Sequence, residues 1–268
     1  MHRRMGLLCL GLCLAVVGTA RAGSLGTVEL RYDSAIPARA ATIHLEGFIS
    51  GQTVWTGQYN LELNPDYQPT GEGQDLYNAA DNYIIHTFCA DVHQPAPTGS
   101  DWRRYDILPL EEAPVGGQNN VTGPMVSQKV NDLRWLYAMF YGQWNDGVGD
   151  ARDEAAAFEL SVWEIVFETT GQYDVYDPAV RGDFYTTSGG STFAALANSW
   201  LGAVENATGP VPDIPLRVLG NETWQDYAVI IPGTGGDPAP EPITLVGVGL
   251  GIAGLVRHVR TRRRIAEA

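Results

Sequence analysis

Apolar positions along this chain follow two different spacings, and the change between them divides it. Up to about Leu110 they come in short runs rich in β-branched and aromatic residues, separated by glycine-containing turns. Thr27–Tyr32, Ala41–Ile49, Val54–Leu63, Tyr83–Val92 and Arg104–Leu110 are predicted as strands on that basis. Their alternation is partial: Ile43, Leu45 and Gly47 interleave with His44, Glu46 and Phe48. Pro65–Asp81 is polar and glycine-bearing and reads as a loop. From residue 125 the step becomes three and four. Val126, Val130, Leu133, Tyr137 and Phe140 or Tyr141 mark a helix over 125–143. Asp150 offers an N-cap for a second helix running to Glu168. Phe193, Leu196, Trp200 and Val204 place a third over Thr192–Glu205. Pro215–Leu219 and Trp224–Ile231 read as two closing strands. Strands, then helices, then strands predict an α+β fold, an antiparallel β-sheet or sandwich with an inserted three-helix subdomain. No internal repeat is visible, and residues 23–232 read as one domain.

The two ends do not fit that domain. Arg3 and Arg4 precede an apolar run, Gly6–Val17, and Ala20-Arg21-Ala22 supplies a small-x-small cleavage pattern. This is the layout of a signal peptide over residues 1–22. The alternative is an N-terminal membrane anchor, but the run is well short of the roughly 20 residues a spanning helix needs. At the other end a Gly- and Pro-rich linker (233–239) leads to Pro240-Glu241-Pro242. An uncharged stretch, Ile243–Val256, and then Arg257, Arg260, Arg262, Arg263 and Arg264 follow. A stretch of that length spans about 21 Å, marginal for a hydrocarbon core near 30 Å, with the arginines held on the cytoplasmic side. A plain tail anchor is the alternative.

Setting the ends aside changes the charge. The chain has 17 Lys and Arg and 31 Asp and Glu, a net −14. Eight of its basic residues lie in residues 1–22 or beyond Pro240, but only Glu241 and Glu267 of its acidic ones do, leaving the domain near −20. Such a surface repels nucleic acid and anionic lipid. Of the 3 cysteines, Cys9 and Cys13 lie in the signal, so the domain carries a single thiol, Cys89, and no internal disulfide.

Pro240-Glu241-Pro242, the short glycine-rich apolar stretch and the arginine cluster resemble the PEP-CTERM sorting signal of Gram-negative bacteria, over residues 240–264. The resemblance implies recognition by an exosortase after signal-peptidase processing, with transient membrane insertion of the tail as a C-terminal hydrophobic sorting helix. It implies an exported protein, inner-membrane-anchored before tail processing and at the cell envelope, outer surface or extracellular matrix after it. It also implies an exopolysaccharide or biofilm setting, with an extracellular polysaccharide or surface protein as partner.

Cys89 sits in Thr87-Phe88-Cys89-Ala90-Asp91. On an extended strand Cys89 and His93 would share a face but lie about 13 Å apart, beyond hydrogen-bond reach, which argues against a Cys–His nucleophile pair. On the helix over 150–168, stepping 100° per residue from Trp163 puts Ala156, Leu160, Val166 and Phe167 within about 60°. Ala157, Ser161, Glu164 and Glu168 fall on the far side, the expected solvated face. Glu159 falls about 40° from Trp163, inside the apolar stripe. Either its stem reaches outward from an edge, or it is a buried carboxyl with a partner.

Phe88-Cys89-Ala90-Asp91 and Phe158-Glu159-Leu160-Ser161-Val162-Trp163-Glu164 resemble two paired motifs of bacterial thioester-domain proteins. In that family an aromatic-Cys motif on a strand meets a Gln-x-Ala-aliphatic-Trp motif on a helix. The glutamine amide and the thiol condense, losing ammonia, to an internal thioester that captures nucleophiles. Cys89 and Trp163 match; Glu159 stands at the glutamine position and Ser161 at the alanine. A carboxylate offers no ammonia to expel, so the resemblance implies a degenerate site without a thioester. The helix over 125–143, the Trp200 helix and Gln225-Asp226 fit the same resemblance more loosely.

Three Asn-x-Thr triplets, at Asn120, Asn206 and Asn221, and the acidic segment Asn145–Asp153 read as chance and as a turn with a helix cap. No metal-ligand cluster, phosphate loop or cofactor motif is apparent. The expectation is a non-enzymatic binding or structural component, with a covalent adhesin or another Cys89-dependent activity as the alternative.

Overall fold

The computed structural model describes residues 23–115, 125–169, 172–176, 183–188 and 191–233. The expected signal peptide (1–22), the expected sorting residues Pro240, Glu241, Pro242, Arg257, Arg260, Arg262, Arg263 and Arg264, and the expected linker beyond Gly233 lie outside the described residues. Among the described residues no helix is long and apolar enough to cross a membrane.

The strands are β1 (Gly26–Leu45), β2 (Ile49–Leu63), β3 (Thr70–Gly71), β4 (Ile84–Cys89), β5 (Arg103–Pro109), β6 (Phe184–Thr186), β7 (Leu216–Gly220) and β8 (Tyr227–Ile230). The helices are α1 (Glu72–Ala79), α2 (Ser127–Phe140), α3 (Ala151–Phe167) and α4 (Thr192–Glu205). All strand pairings are antiparallel. The path β2-β4-β8-β7-β5-β1 returns to β2, because β1 pairs with both β5 and β2. The expected antiparallel sheet is present, and it is one ring closed on itself rather than a two-sheet sandwich. Short β3 and β6 add to the two ends of β1.

Two predicted strands, Thr27–Tyr32 and Ala41–Ile49, are halves of one 20-residue strand, β1. Register shifts at Tyr32/Ser34 and Ala35/Ala38 absorb the irregular segment around Pro37 without ending the pairing with β2. Gly57 faces that bulge at φ +149, where a Cβ would lie 2.3 Å from the Pro37 carbonyl oxygen. The expected loop over 65–81 contains α1. Its one buried side chain is Leu76, too little to show a helical period, and a paired Glu72–Arg217 contact ties it to β7 at 2.8 and 3.0 Å.

The three later helices lie between β5 and β7 in the chain, as expected, but they are not a separable subdomain. α3 packs against β1, β2, β4 and β6 and also against α2 and α4. Every residue from Ala155 to Phe167 is buried. Ala157, Ser161 and Glu164, assigned to a solvated face, are inside, and so is Glu168 just beyond. One oxygen of each glutamate is met by a backbone N–H from beyond the helix, and the serine hydroxyl is met within it. Glu164 accepts the Asp174 N–H at 2.8 Å, Glu168 accepts the Asp183 N–H at 3.0 Å, and the Ser161 hydroxyl donates to the Ala157 carbonyl. At the exposed end Asp150 caps α3 through the Arg152 N–H, and Arg39 of β1 holds Asp150 and Asp153 at 2.8 and 2.6 Å. A cap and an ion pair thus account for the acidic turn before the helix.

Candidate functional site

β4 carries Cys89 as its last residue, paired with Tyr227 of β8. Strand alternation puts Phe88 and Cys89 on opposite sides. Phe88 enters a ring cluster with Phe158 at 4.6 Å and Trp144 at 5.0 Å, and Phe158 also meets Tyr137 edge-on at 4.9 Å. The Trp144 indole N–H donates to Gln58 Oε1 at 2.7 Å, which fixes the turn after α2 against β2. This cluster sets the depth of α3 over the ring. Glu159, one residue on from Phe158, and Trp163, one turn further, then face the end of β4.

The backbone N–H of Cys89 donates to Glu159 Oε1 at 3.0 Å, a contact between residues 70 apart in sequence. Both side chains are wholly buried, so the outward-reaching reading of Glu159 fails. Oε2 of Glu159 has no hydrogen-bond partner. The thiol donates to the Asp91 carbonyl at 3.0 Å, and the Asp91 N–H returns to the sulfur at 3.4 Å. Trp163 lies against the sulfur without a hydrogen bond of ordinary geometry from its indole N–H.

Burial pushes the Glu159 carboxyl well above the usual range, opposed by the Cys89 N–H it accepts. Burial also pushes the Cys89 thiol up, and the neighbouring Glu159 adds to the rise while Trp163 and the Asp91 backbone oppose it. Tyr59 and Tyr227, close by, are raised by burial too. The pocket therefore favours an uncharged acid beside an uncharged thiol. A nucleophilic cysteine needs its thiolate, and this site works against one.

His93 behaves differently from the extended-strand expectation, because β4 ends at Cys89 and the chain turns there. Its backbone N–H and Nδ1 both contact Asp91 Oδ1, at 2.8 and 3.2 Å. The thiol's partner is the Asp91 carbonyl, and no imidazole bonds it among the described residues. His86, on the other face, meets Asn60 at 2.7 Å and Gln58 at 2.9 Å, and burial lowers its pKa. Among the described residues no group of three His, Cys, Asp or Glu side chains is placed to hold a metal.

Three features of the site escaped sequence reasoning. The Gln58–Trp144 contact joins β2 to a turn and has no sequence pattern. Asp226, matched only loosely, is fully buried and accepts the backbone N–H groups of Asn221, at 2.9 Å, and Val115. The third is a cleft of about 240 Å³ that reaches Trp163 from outside, between β1, β2 and the segment after β4. A larger hollow of about 450 Å³ is formed by the β1–β2 turn and Tyr185 and includes none of Cys89, Glu159 and Trp163.

No family model and no curated protein matches the chain. Among solved structures, the N-terminal thioester domain of the fibronectin-binding protein SfbI from Streptococcus pyogenes is similar at 14% identity and a TM-score of 0.37, over 64% of this chain and 84% of that one. The N-terminal thioester domain of a surface protein from Clostridium perfringens is similar at 12% identity and a TM-score of 0.36, over 76% and 97%.

Proposed function

We propose that this chain is an exported cell-surface or matrix protein whose domain is a thioester-domain-like module with a degenerate site, acting as a non-enzymatic binding or structural component. The observation that carries the reading is the contact between the Cys89 N–H and Glu159 Oε1. The strand motif and the helix motif were paired by resemblance, and their key positions meet in a buried site. Glu159 in place of glutamine removes the leaving group, and burial keeps acid and thiol uncharged, so the pair stays unlinked.

The address forms part of the same reading and rests on residues 1–22 and 240–264. Signal peptidase and an exosortase are the processing partners, with an extracellular polysaccharide or surface protein as the partner afterwards. Intact mass of the mature protein tests the site. The expected mass is that of the unmodified chain. A species lighter by about 17 or 18 Da, one ammonia or one water, and absent in Cys89→Ala, would instead establish a covalent adhesin or another Cys89 chemistry. Replacing the arginines at 257, 260, 262, 263 and 264 with serine tests the address. The tail should then stay unprocessed or the protein be mislocalised, and normal processing would refute the sorting reading.

A further inference from the structure

The cleft over Trp163 is unlike the rest of the surface. In a domain near −20 it is lined by no Asp, Glu, Lys or Arg. Its walls carry the rings of Tyr32, Trp55 and Tyr59, with Trp163 on the side of the thiol. Trp55 is 62% exposed, a large apolar face held in water on a paired strand, and the Tyr59 hydroxyl bonds its carbonyl at 3.0 Å. The lining also includes three glutamines, Gln52, Gln94 and Gln225. Gln225 is engaged: its side-chain oxygen accepts from the Tyr227 hydroxyl, and its backbone N–H holds the Pro95 carbonyl, which fixes the segment carrying Gln94. Gln94 is not. Both its amide oxygen and its amide nitrogen are shielded from water and lack a hydrogen-bond partner. Native structures satisfy nearly all such atoms, so the Gln94 amide carries unmet hydrogen-bonding capacity beside the cleft, which a ligand completes once the amide turns toward the opening.

We propose that this cleft binds a neutral saccharide ring of an extracellular glycan. A pyranose presents apolar C–H faces to aromatic rings and, at its edge, hydroxyls that donate and accept together, as the amides require. A proline-rich peptide would use the rings but has few donors for the amide oxygens. An anionic sugar would meet the field of the acidic domain with no cation in the cleft to receive it. At about 240 Å³ the cleft is smaller than the roughly 300–1,000 Å³ of pockets that enclose a whole ligand, so it takes one ring of a longer chain.

The inference rests on the reading of the domain as a non-covalent surface binder. It is tested by presenting the mature protein to an array of neutral and anionic oligosaccharides and a proline-rich peptide, then titrating hits by tryptophan fluorescence. Saturable binding to a neutral oligosaccharide is expected, weakened at least about tenfold in both Trp55→Ala and Gln94→Ala. Urea unfolding of each variant shows whether it remains folded, and Trp55→Phe, which keeps a ring, should recover part of the loss. Absence of any neutral hit, undiminished binding in either variant, or preference for the peptide or for anionic sugars overturns the proposal. A mass deficit at Cys89 would sink the non-covalent reading but leave these binding results unchanged, so the two failures are distinguishable.

Discussion

A carboxyl kept uncharged inside a folded domain must leave its mark on stability as the pH changes. Consider Cys89→Ala and the double variant Cys89→Ala/Glu159→Gln, compared so that no sulfur can react with the new amide. Burial raises the Glu159 pKa in the folded state, so the folded protein retains a proton that the unfolded chain releases above about pH 4.3. Below that pH both states are protonated and the contribution is fully present. As the pH rises from there toward the folded pKa, stability falls by about 1.4 kcal/mol per unit for this one group. Glutamine does not titrate, so the double variant lacks that slope. It keeps an oxygen for the backbone N–H at position 89, and its NH₂ takes the place of the unpartnered Oε2, a change that does not depend on pH. Other shifted carboxyls, such as Glu164 and Glu154, are common to both proteins and cancel. Urea unfolding at about pH 5 and about pH 6 should therefore show the double variant gaining on its parent across that unit, by up to about 1.4 kcal/mol, whatever the offset. Parallel curves would mean that Glu159 ionises as it does in the unfolded chain, and the account of an uncharged pair would be wrong.

With Cys89 present, Glu159→Gln should restore condensation: the sulfur attacks the amide carbon, the C–N bond breaks, and the thiol proton leaves with ammonia. Mass spectrometry should show a loss of about 17 Da that disappears when Cys89→Ala is added, and an unchanged mass would place the two groups outside reacting geometry. Phe158→Ala empties the centre of the ring cluster and should lower unfolding free energy by about 3–5 kcal/mol; a loss under about 1 kcal/mol would contradict that packing. Asp226→Ala strands the Val115 and Asn221 N–H groups and should cost about 2–5 kcal/mol in urea unfolding, with Asp226→Asn losing less.

Strands and helices were legible where their own side chains set the period. The bounds predicted for the helix 192–205 are those of α4, and Asp150 caps α3, because each signal is local. Reading failed where the deciding partner lay elsewhere in the chain. The segment between Tyr32 and Ala41 separated two predicted strands, yet β2 carries β1 through it with two register shifts. The carboxylates of α3 looked solvated, and only the distant N–H groups of Asp174 and Asp183 explain how they can be buried. Cys89, Glu159 and Trp163 were picked out by short motifs, but the contact between them depends on the Phe88–Phe158–Trp144 cluster, which has no sequence signature. Gln94 was invisible because an unmet amide is a property of what surrounds it.

The ring has an order of assembly written into it. β8, the last strand, occupies the gap between β4 and β7, and it pairs Cys89 with Tyr227. In a chain delivered amino end first, the cylinder stays open until residues 227–230 arrive. Contacts between such distant segments form slowly. Throughout that interval the β4 edge that carries Cys89 lacks its neighbouring strand, which leaves the thiol less enclosed than in the finished fold. A race therefore exists between oxidation of Cys89 and arrival of the keystone.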